Sequence, residues 1–260
     1  MIRYTVLGSG SSGNSYIISS EGFSILFDAG YPLKTIKGRS VQAGIPFESV
    51  QALFITHLHP DHARGAGVFA RRTALPVYVN ANLVLSSCAE LDSLGIPGTC
   101  LRTFVPGTPV SLGPFSITAF PTSHDSPCSV GYCIGVDGRY FLLLTDTGKV
   151  TDEMRTYARI SDVLFLEANY EQHLLETGPY PYYLKRRIAG ESGHLSNNDA
   201  ISFLNDCRND AKSHRHVYFC HLSNTNNTPE ILAANARDSL DWDGDLTICA
   251  KGSLYSGCLA

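Results

Sequence analysis

Short apolar runs separated by glycine and serine fill the first third of the chain. IRYTVL, SYIISS and FSILFDAG are each rich in β-branched or aromatic residues and bounded by Gly or Ser, so each predicts a strand. A helix is expected over residues 33–43. VQALFIT then reads as a strand feeding a histidine-rich loop, and ARGAGVFARR as a helix before the strand PVYVN. SLGPFSITAF, SVGYCIGVDG and RYFLLLTDTG predict an antiparallel meander with glycine-containing turns. DVLFLEAN, VYFCHLS and LTICA are three more strands, with helical stretches following the first two. Strands toward both ends with helices mostly between them predict an α/β or α+β chain of two mixed sheets with helices outside. SILFDAG and FLLLTDTG echo one another, each an apolar strand ending in Asp and a Gly turn, which hints at an internal duplication.

With 260 residues and no low-complexity linker, a single domain over residues 1–260 is expected. The 43% hydrophobic and 17% charged content supports a large core and excludes a disordered or fibrous chain. A net charge of −4 gives no global attraction to a polyanion, so any nucleic-acid contact must come from a local basic patch. No apolar run approaches the ~18–20 residues of a membrane helix, and the opening MIRYTVLGSGSSG lacks a signal-peptide core. A cytoplasmic protein with no membrane association is expected. The eight cysteines form no C-x-x-C pair and sit mostly in apolar strand-like runs, which predicts reduced core residues.

Gly8-Ser9-Gly10-Ser11-Ser12-Gly13 matches G-x-G-x-x-G, with Asp28 at a distance suited to a dinucleotide fingerprint. The context excludes that reading, because the stretch from Gly13 to Phe23 is too short and too β-branched for the required helix. Asn14 stands where a Walker loop needs Lys. A tight loop between paired strands is expected instead. Its backbone N–H groups could still form an anion-binding nest, which makes Ser11, Ser12 and Asn14 candidate substrate contacts.

Thr56-His57-Leu58-His59-Pro60-Asp61-His62 follows the apolar strand QALFI and packs four metal-type ligands into one short stretch. In extended chain, residues two apart face the same side, so His57 and His59 can hold one ion. Pro60 then bends the chain and lets Asp61 and His62 turn toward a second. Three further apolar strands each deliver one polar ligand: His124 after SITAFPTS, Asp146 after FLLLT and His221 after VYFC. Five imidazoles and two carboxylates suffice for a binuclear site. His173, His214 and His216 lie outside such strand ends and carry no expected role.

These segments resemble the metallo-β-lactamase fold, whose hallmark His-x-His-x-Asp-His loop corresponds to His57–His62. The resemblance implies an αβ/βα four-layer sandwich, one ion on His57, His59 and His124, the other on Asp61, His62 and His221, and Asp146 bridging both. Asp146 replaces the cysteine ligand of the true two-zinc β-lactamases, which argues against antibiotic hydrolysis. His59 replaces the glutamate of flavodiiron oxidoreductases, which argues against redox chemistry. The stretch between Asp146 and His221 is too short for the inserted cap of the large RNA-processing nucleases of this fold. SGSSGNSY, LFDAG, THLHPDH, TSHD, TDTG, LEANY, GPYPYYLKRRI, GHLSN and HLSNTNN are similar to the signature segments of the YycJ (WalJ) group of bacterial metallohydrolases. That resemblance implies a metal-dependent phosphodiesterase, with 5′-to-3′ exonuclease action on DNA.

Two adjacent divalent cations suit this chemistry. They clamp the attacking and leaving oxygens of an in-line displacement and lower the pKa of a bridging water, with Asp61 placed to orient the resulting hydroxide. Zinc is the leading candidate, and manganese or iron suits the same ligands. The leaving alkoxide needs a proton. His194 is the candidate acid, because GHLSNNDA places it just before a helix capped by Ser196 with Asp199 three residues on. Glu167, in LFLEANY, resembles the glutamate that partners the equivalent histidine in tRNA-maturing relatives. Tyr180-Pro181-Tyr182-Tyr183-Leu184-Lys185-Arg186-Arg187 interleaves aromatics with cations, which makes Lys185, Arg186 and Arg187 candidate contacts to a nucleic-acid substrate. The competing expectations are a thioester or lactone hydrolase of the same fold and a metal-binding scaffold without turnover.

Overall fold

The computed structural model describes residues 1–208, 215–242 and 244–260, so His214 lies outside the described residues. The strands are β1 (Ile2–Gly8), β2 (Ser15–Ser20), β3 (Phe23–Phe27), β4 (Val50–Phe54), β5 (Val77–Asn80), β6 (Leu101–Phe104), β7 (Val110–Leu112), β8 (Phe115–Pro121), β9 (Val130–Val136), β10 (Arg139–Leu144), β11 (Val163–Glu167), β12 (His216–Cys220), β13 (Asp245–Ile248) and β14 (Tyr255–Leu259). They form two mixed seven-stranded sheets, ordered β14-β1-β2-β3-β4-β5-β6 and β13-β12-β11-β10-β9-β8-β7.

The two sheets share one grammar. In the first, β2 and β3 pair antiparallel, and β3 through β6 then pair parallel. In the second, β9 and β10 pair antiparallel, and β10 through β13 run parallel. SILF and FLLL therefore occupy equivalent strands, β3 and β10, and the sequence echo is an echo of topology. Parallel strands are covered on both faces, which is why β11 is buried at every position. β8 alternates instead, with Ser116 exposed between buried Phe115 and Ile117.

The helices are α1 (Leu33–Gln42), α2 (Pro60–Ala63), α3 (Ala66–Thr73), α4 (Leu83–Ser86), α5 (Cys88–Ser93), α6 (Asp152–Ile160), α7 (Gln172–Thr177), α8 (Tyr182–Ile188), α9 (Asn197–Asp206) and α10 (Pro229–Ser239). The helix expected from ARGAGVFARR is α3, which begins at Ala66 after the Gly65 N–H donates to Ala29 O at 2.8 Å, and Pro60–Ala63 forms the separate turn α2. A capping box starts α9: Ser196 Oγ accepts from Asp199 N, and the Asp199 carboxylate accepts from the Ser196 N–H. Thr228 caps α10 ahead of Pro229, its side chain accepting from Ile231 N.

Backbone contacts divide the chain into two compact units. One comprises Met1–Ala119, Ser126–Val130 and Gly252–Ala260, and the other Phe120–Asp125 and Gly131–Lys251. Each has its own apolar cluster. Leu26, Leu53, Ile55, Phe69 and Val79 anchor the first, and Leu142, Leu144, Leu164, Leu166, Phe203 and Phe219 the second. Cys88 and Cys258 are exposed, which corrects the expectation of cysteines confined to the core; Cys100, Cys133, Cys207, Cys220 and Cys249 are buried. Burial raises the Cys133 thiol to about 12, so it stays a neutral core side chain. No helix among the described residues is long and apolar enough to cross a membrane.

Candidate metal centre

In the first unit, Asp28 follows β3 and Thr56 follows β4, neighbouring parallel strands in register at Phe27 and Phe54. Asp28 has a left-handed backbone (φ 58°), unusual outside glycine, and accepts from the Thr56 N–H (2.8 Å) and hydroxyl (2.9 Å). Its Oδ2 lies 2.6 Å from His62 Nδ1. Burial raises the Asp28 carboxyl above its ordinary value, and the His62 contact works against that rise. His59 and Pro60 open α2, whose single turn carries Asp61 and His62. The His57 and His59 rings meet edge-on with centroids 4.8 Å apart, and those of His57 and His62 lie 4.1 Å apart.

The glycine loop joins the antiparallel strands β1 and β2, as expected once a dinucleotide site is excluded. Ser11 is exposed and Ser12 half-buried. Asn14 is wholly buried. Its Nδ2 lies 2.9 Å from His62 Nε2 and donates to Asp61 Oδ2 at 3.3 Å, while Gly10 N donates to its Oδ1. The amide proposed as a substrate contact is thus committed to two metal-type side chains.

In the second unit, His124 follows β8, Asp146 follows β10, Glu167 ends β11 and His221 follows β12. Asp146 and His221 also have positive φ, both 56°. Asp146 Oδ1 lies 3.6 Å from His124 Nε2, 3.6 Å from His221 Nε2 and 3.7 Å from His194 Nδ1. Ser123 N donates to Thr147 Oγ1 (3.2 Å) and Gly148 N to Ser123 O (2.9 Å), which binds the TSHD segment to TDTG.

Glu167 has no exposure, and its oxygens are saturated. Oε1 meets His194 Nδ1 at 2.6 Å and His221 Nδ1 at 3.2 Å, and Oε2 accepts from Thr147 N (3.0 Å) and Leu195 N (3.4 Å). Burial pushes the Glu167 carboxyl up, but the two histidines outweigh it and hold it below its ordinary value. Burial correspondingly pulls the His194 imidazole down, and the Glu167 carboxylate overrides that and raises it. His194 is therefore held toward its charged form, a proton donor rather than a lone-pair ligand.

The donor set fits metal binding. Thr56 donates its single proton to the Asp28 carboxylate, so its oxygen, 3.0 Å from His57 Nδ1, accepts there. His62 Nδ1 faces Asp28, His124 Nδ1 faces Gly193 O at 3.1 Å, and His221 Nδ1 faces Glu167. All four imidazoles thus direct Nδ1–H at an oxygen and leave Nε2 as the lone-pair nitrogen, the state a metal-ligating histidine requires. The chain has clusters of histidine and carboxylate side chains that could hold metal ions.

The model of the beta-lactamase superfamily domain matches residues 24–222. The chain belongs to that superfamily. Within it, the chain is 32% identical over 243 residues to the exodeoxyribonuclease YycJ of Bacillus anthracis, an alignment covering 94% of this chain and 90% of the relative. It is 34% identical over 231 residues to the exodeoxyribonuclease WalJ of Streptococcus pneumoniae D39, covering 88% and 84%. The superfamily fold is matched by the crystal structure of YhfI from Bacillus subtilis, a metallo-β-lactamase fold protein, with a TM-score of 0.72 at 20% identity over 98% of this chain and 99% of that one. This is a metallohydrolase fold, as the resemblance implied.

Asp28, Asn169, Asn197 and Asn227 are buried partners of the metal-type side chains or of the segments that carry them. Asp28, whose spacing from Gly8 suits a nucleotide fingerprint, instead orients His62. Asn169 donates to His221 O at 2.9 Å. Asn227 donates to Asn197 Oδ1 (2.7 Å) and Ala168 O (3.0 Å) and so ties HLSNTNN to GHLSN and LEANY. Lys185, Arg186 and Arg187 all lie on α8, and Arg187 is paired with Asp125, beside His124.

Proposed function

We propose that residues 1–260 act as one cytoplasmic hydrolase domain, a metal-dependent phosphodiesterase digesting DNA from the 5′ end toward the 3′ end. His57, His59, Asp61, His62, His124, Asp146 and His221 would hold two divalent cations, zinc foremost. Such ions would polarise the phosphodiester and supply a nucleophile from water.

The chain's own residues account for the remaining steps. Asp28 and Thr56 hold His62 and His57 in the ligating tautomer, and Asn14 steadies Asp61. Asp61 would orient the attacking oxygen through its carboxylate. Glu167 keeps His194 protonated, and His194 donates to the oxygen that leaves phosphorus. Ser11 and Ser12 remain candidate contacts on the first unit.

The His194–Glu167 pair carries this reading. An alkoxide is a poor leaving group that needs a proton as it departs, whereas the thiolate released from a thioester leaves unaided. The named activity of the two exodeoxyribonuclease relatives supports the same choice.

The test offers metal-loaded protein 5′-phosphorylated duplex DNA, single-stranded DNA, RNA and a glutathione thioester. Shortening of the duplex from its 5′ end is expected, and thiol release with every nucleic acid intact overturns the reading in favour of a small-molecule hydrolase. His194→Ala should cost about 10²–10⁴-fold on DNA and far less on a p-nitrophenyl phosphodiester, whose leaving group needs no acid. Equal losses on both substrates would remove His194 from the acid role.

A further inference from the structure

Helix α8 buries none of its residues, yet Tyr182 and Tyr183 are 74% and 73% exposed. Among the described residues the next most exposed aromatic side chain is Tyr140, at 40%. Two adjacent rings in water forgo the burial that normally holds an aromatic side chain in a fold, so their place on this helix needs a partner to explain it. Arg186 lies one turn from both, and its guanidinium is 5.9 Å from the Tyr182 ring centroid.

The helix is fixed even though it is not buried. Tyr180 Oη donates to Thr225 Oγ1 at 3.1 Å just before it, Lys185 Nζ donates to Glu176 O at 2.7 Å, and Arg187 Nε donates to Asp125. The Ile188 carbonyl, at its end, accepts from the His194 N–H at 2.9 Å. These bonds give the three cations different roles. Arg187 latches α8 to the residue after His124, while Arg186 is exposed like the tyrosines and the half-buried Lys185 keeps two donors beyond its bond to Glu176 O.

A partner for this face must present flat π surfaces and closely spaced negative charge. Single-stranded nucleic acid offers both, whereas an acidic peptide lacks the π surfaces and a duplex keeps its base faces stacked inside. The overall charge of −4 makes a basic face here local and not a property of the whole surface. We propose that Tyr182 and Tyr183 form a stacking platform for the unpaired bases of a nucleic-acid strand end, with Lys185 and Arg186 set against its phosphates. A strand so held runs beside the segments that carry His124 and His194. This inference rests on the nuclease reading and narrows it to substrates with frayed or single-stranded ends.

The experiment measures binding of a short, fluorescein-labelled single-stranded oligonucleotide with hydrolysis-resistant phosphorothioate linkages, by anisotropy, to the metal-loaded protein. Tyr182→Leu/Tyr183→Leu keeps the helix propensity and removes the rings; it should weaken binding about tenfold or more, with less effect on a blunt duplex. Tyr182→Phe/Tyr183→Phe keeps the rings and should stay within about threefold of the unaltered protein. Lys185→Gln/Arg186→Gln should lower the slope of log affinity against log salt by about 1 to 2, a slope the leucine pair leaves alone.

Unchanged affinity in the leucine pair, equal weakening in the leucine and phenylalanine pairs, or displacement of DNA by an oligoglutamate peptide each overturns the platform. Hydrolysis of bis(p-nitrophenyl) phosphate by the unaltered protein judges the phosphodiesterase reading separately. Binding that follows the rings without hydrolysis leaves the platform standing and removes the nuclease. Hydrolysis with ring-independent binding does the reverse.

Discussion

His62 Nδ1 lies 2.6 Å from Asp28 Oδ2, and neither side chain has any exposure. The carboxylate does more than neutralise a neighbour. By taking the Nδ1 proton it points the His62 Nε2 lone pair away from β3, and by taking the Thr56 hydroxyl proton it sets His57 the same way. Asp28→Asn retains the shape and loses the charge, so one of these protons must turn. The expected outcome is about 10–100-fold weaker zinc binding, read by competition with a chromophoric chelator. Affinity equal to that of the unaltered protein would show that Asp28 does not set the ligands.

Asn14→Ala separates positioning from substrate contact. The Asn14 side chain donates to Asp61 Oδ2 from within the first unit and offers no exposed atom to a strand of DNA. The substitution should weaken metal binding about tenfold and lower kcat at limiting metal. KM for DNA should change little once metal is saturating. A raised KM with normal metal affinity would return Asn14 to the substrate contacts.

Much of this centre was legible because its signals are local. His57, His59, Asp61 and His62 fall in one short loop, and His124, Asp146 and His221 each follow an apolar strand, so their chemistry shows without knowledge of pairing. Asp28 does not show in that way. Its role arises only when β3 pairs parallel with β4, which brings Thr56 and His62 from a segment far along the chain. The same holds for Asn197 and Asn227, whose side-chain amides meet each other and the Asn169 carbonyl only after three segments converge. Edge strands were the least legible part of the fold: β14 alternates half-buried with exposed positions and has too few apolar residues to announce itself.

Gly148, in TDTG, has a steric role. A Cβ there would lie 2.2 Å from Gly190 O, 2.6 Å from Glu191 O and 2.6 Å from Gly193 N, all backbone atoms of the loop before His194. No side-chain rotation relieves such contacts, so Gly148→Ala must push the loop aside. That loop carries Gly193 O, the acceptor for His124 Nδ1, and leads into His194. The variant should lose about 10²-fold or more in kcat on DNA, since misplacing catalytic groups by about 1 Å costs that much. Thermal melting should also fall by several degrees, and activity near that of the unaltered protein would show that the loop tolerates displacement.

The His194–Glu167 pair makes a prediction about pH. The His194 pKa is raised in the folded protein, so its contribution to stability is complete below the unfolded value of about 6.5 and is lost as pH climbs through the folded value. The Glu167 pKa is lowered, so its contribution is present above the ordinary carboxyl value of about 4.5 and is lost as pH falls through the folded one. The pair therefore stabilises most between these limits, and His194→Gln should flatten the fall in metal-free stability, measured by urea titration, as pH rises above about 6.5. The kinetic counterpart is Glu167→Gln. Without the Glu167 carboxylate only the more distant Asp146 works against the burial of His194, so the imidazole gives up its proton at lower pH, and the alkaline limb of kcat on DNA should move to lower pH. A purely structural disturbance would scale the rate at every pH and leave the limb where it was, so an unmoved limb would remove Glu167 from its part in holding the proton on His194.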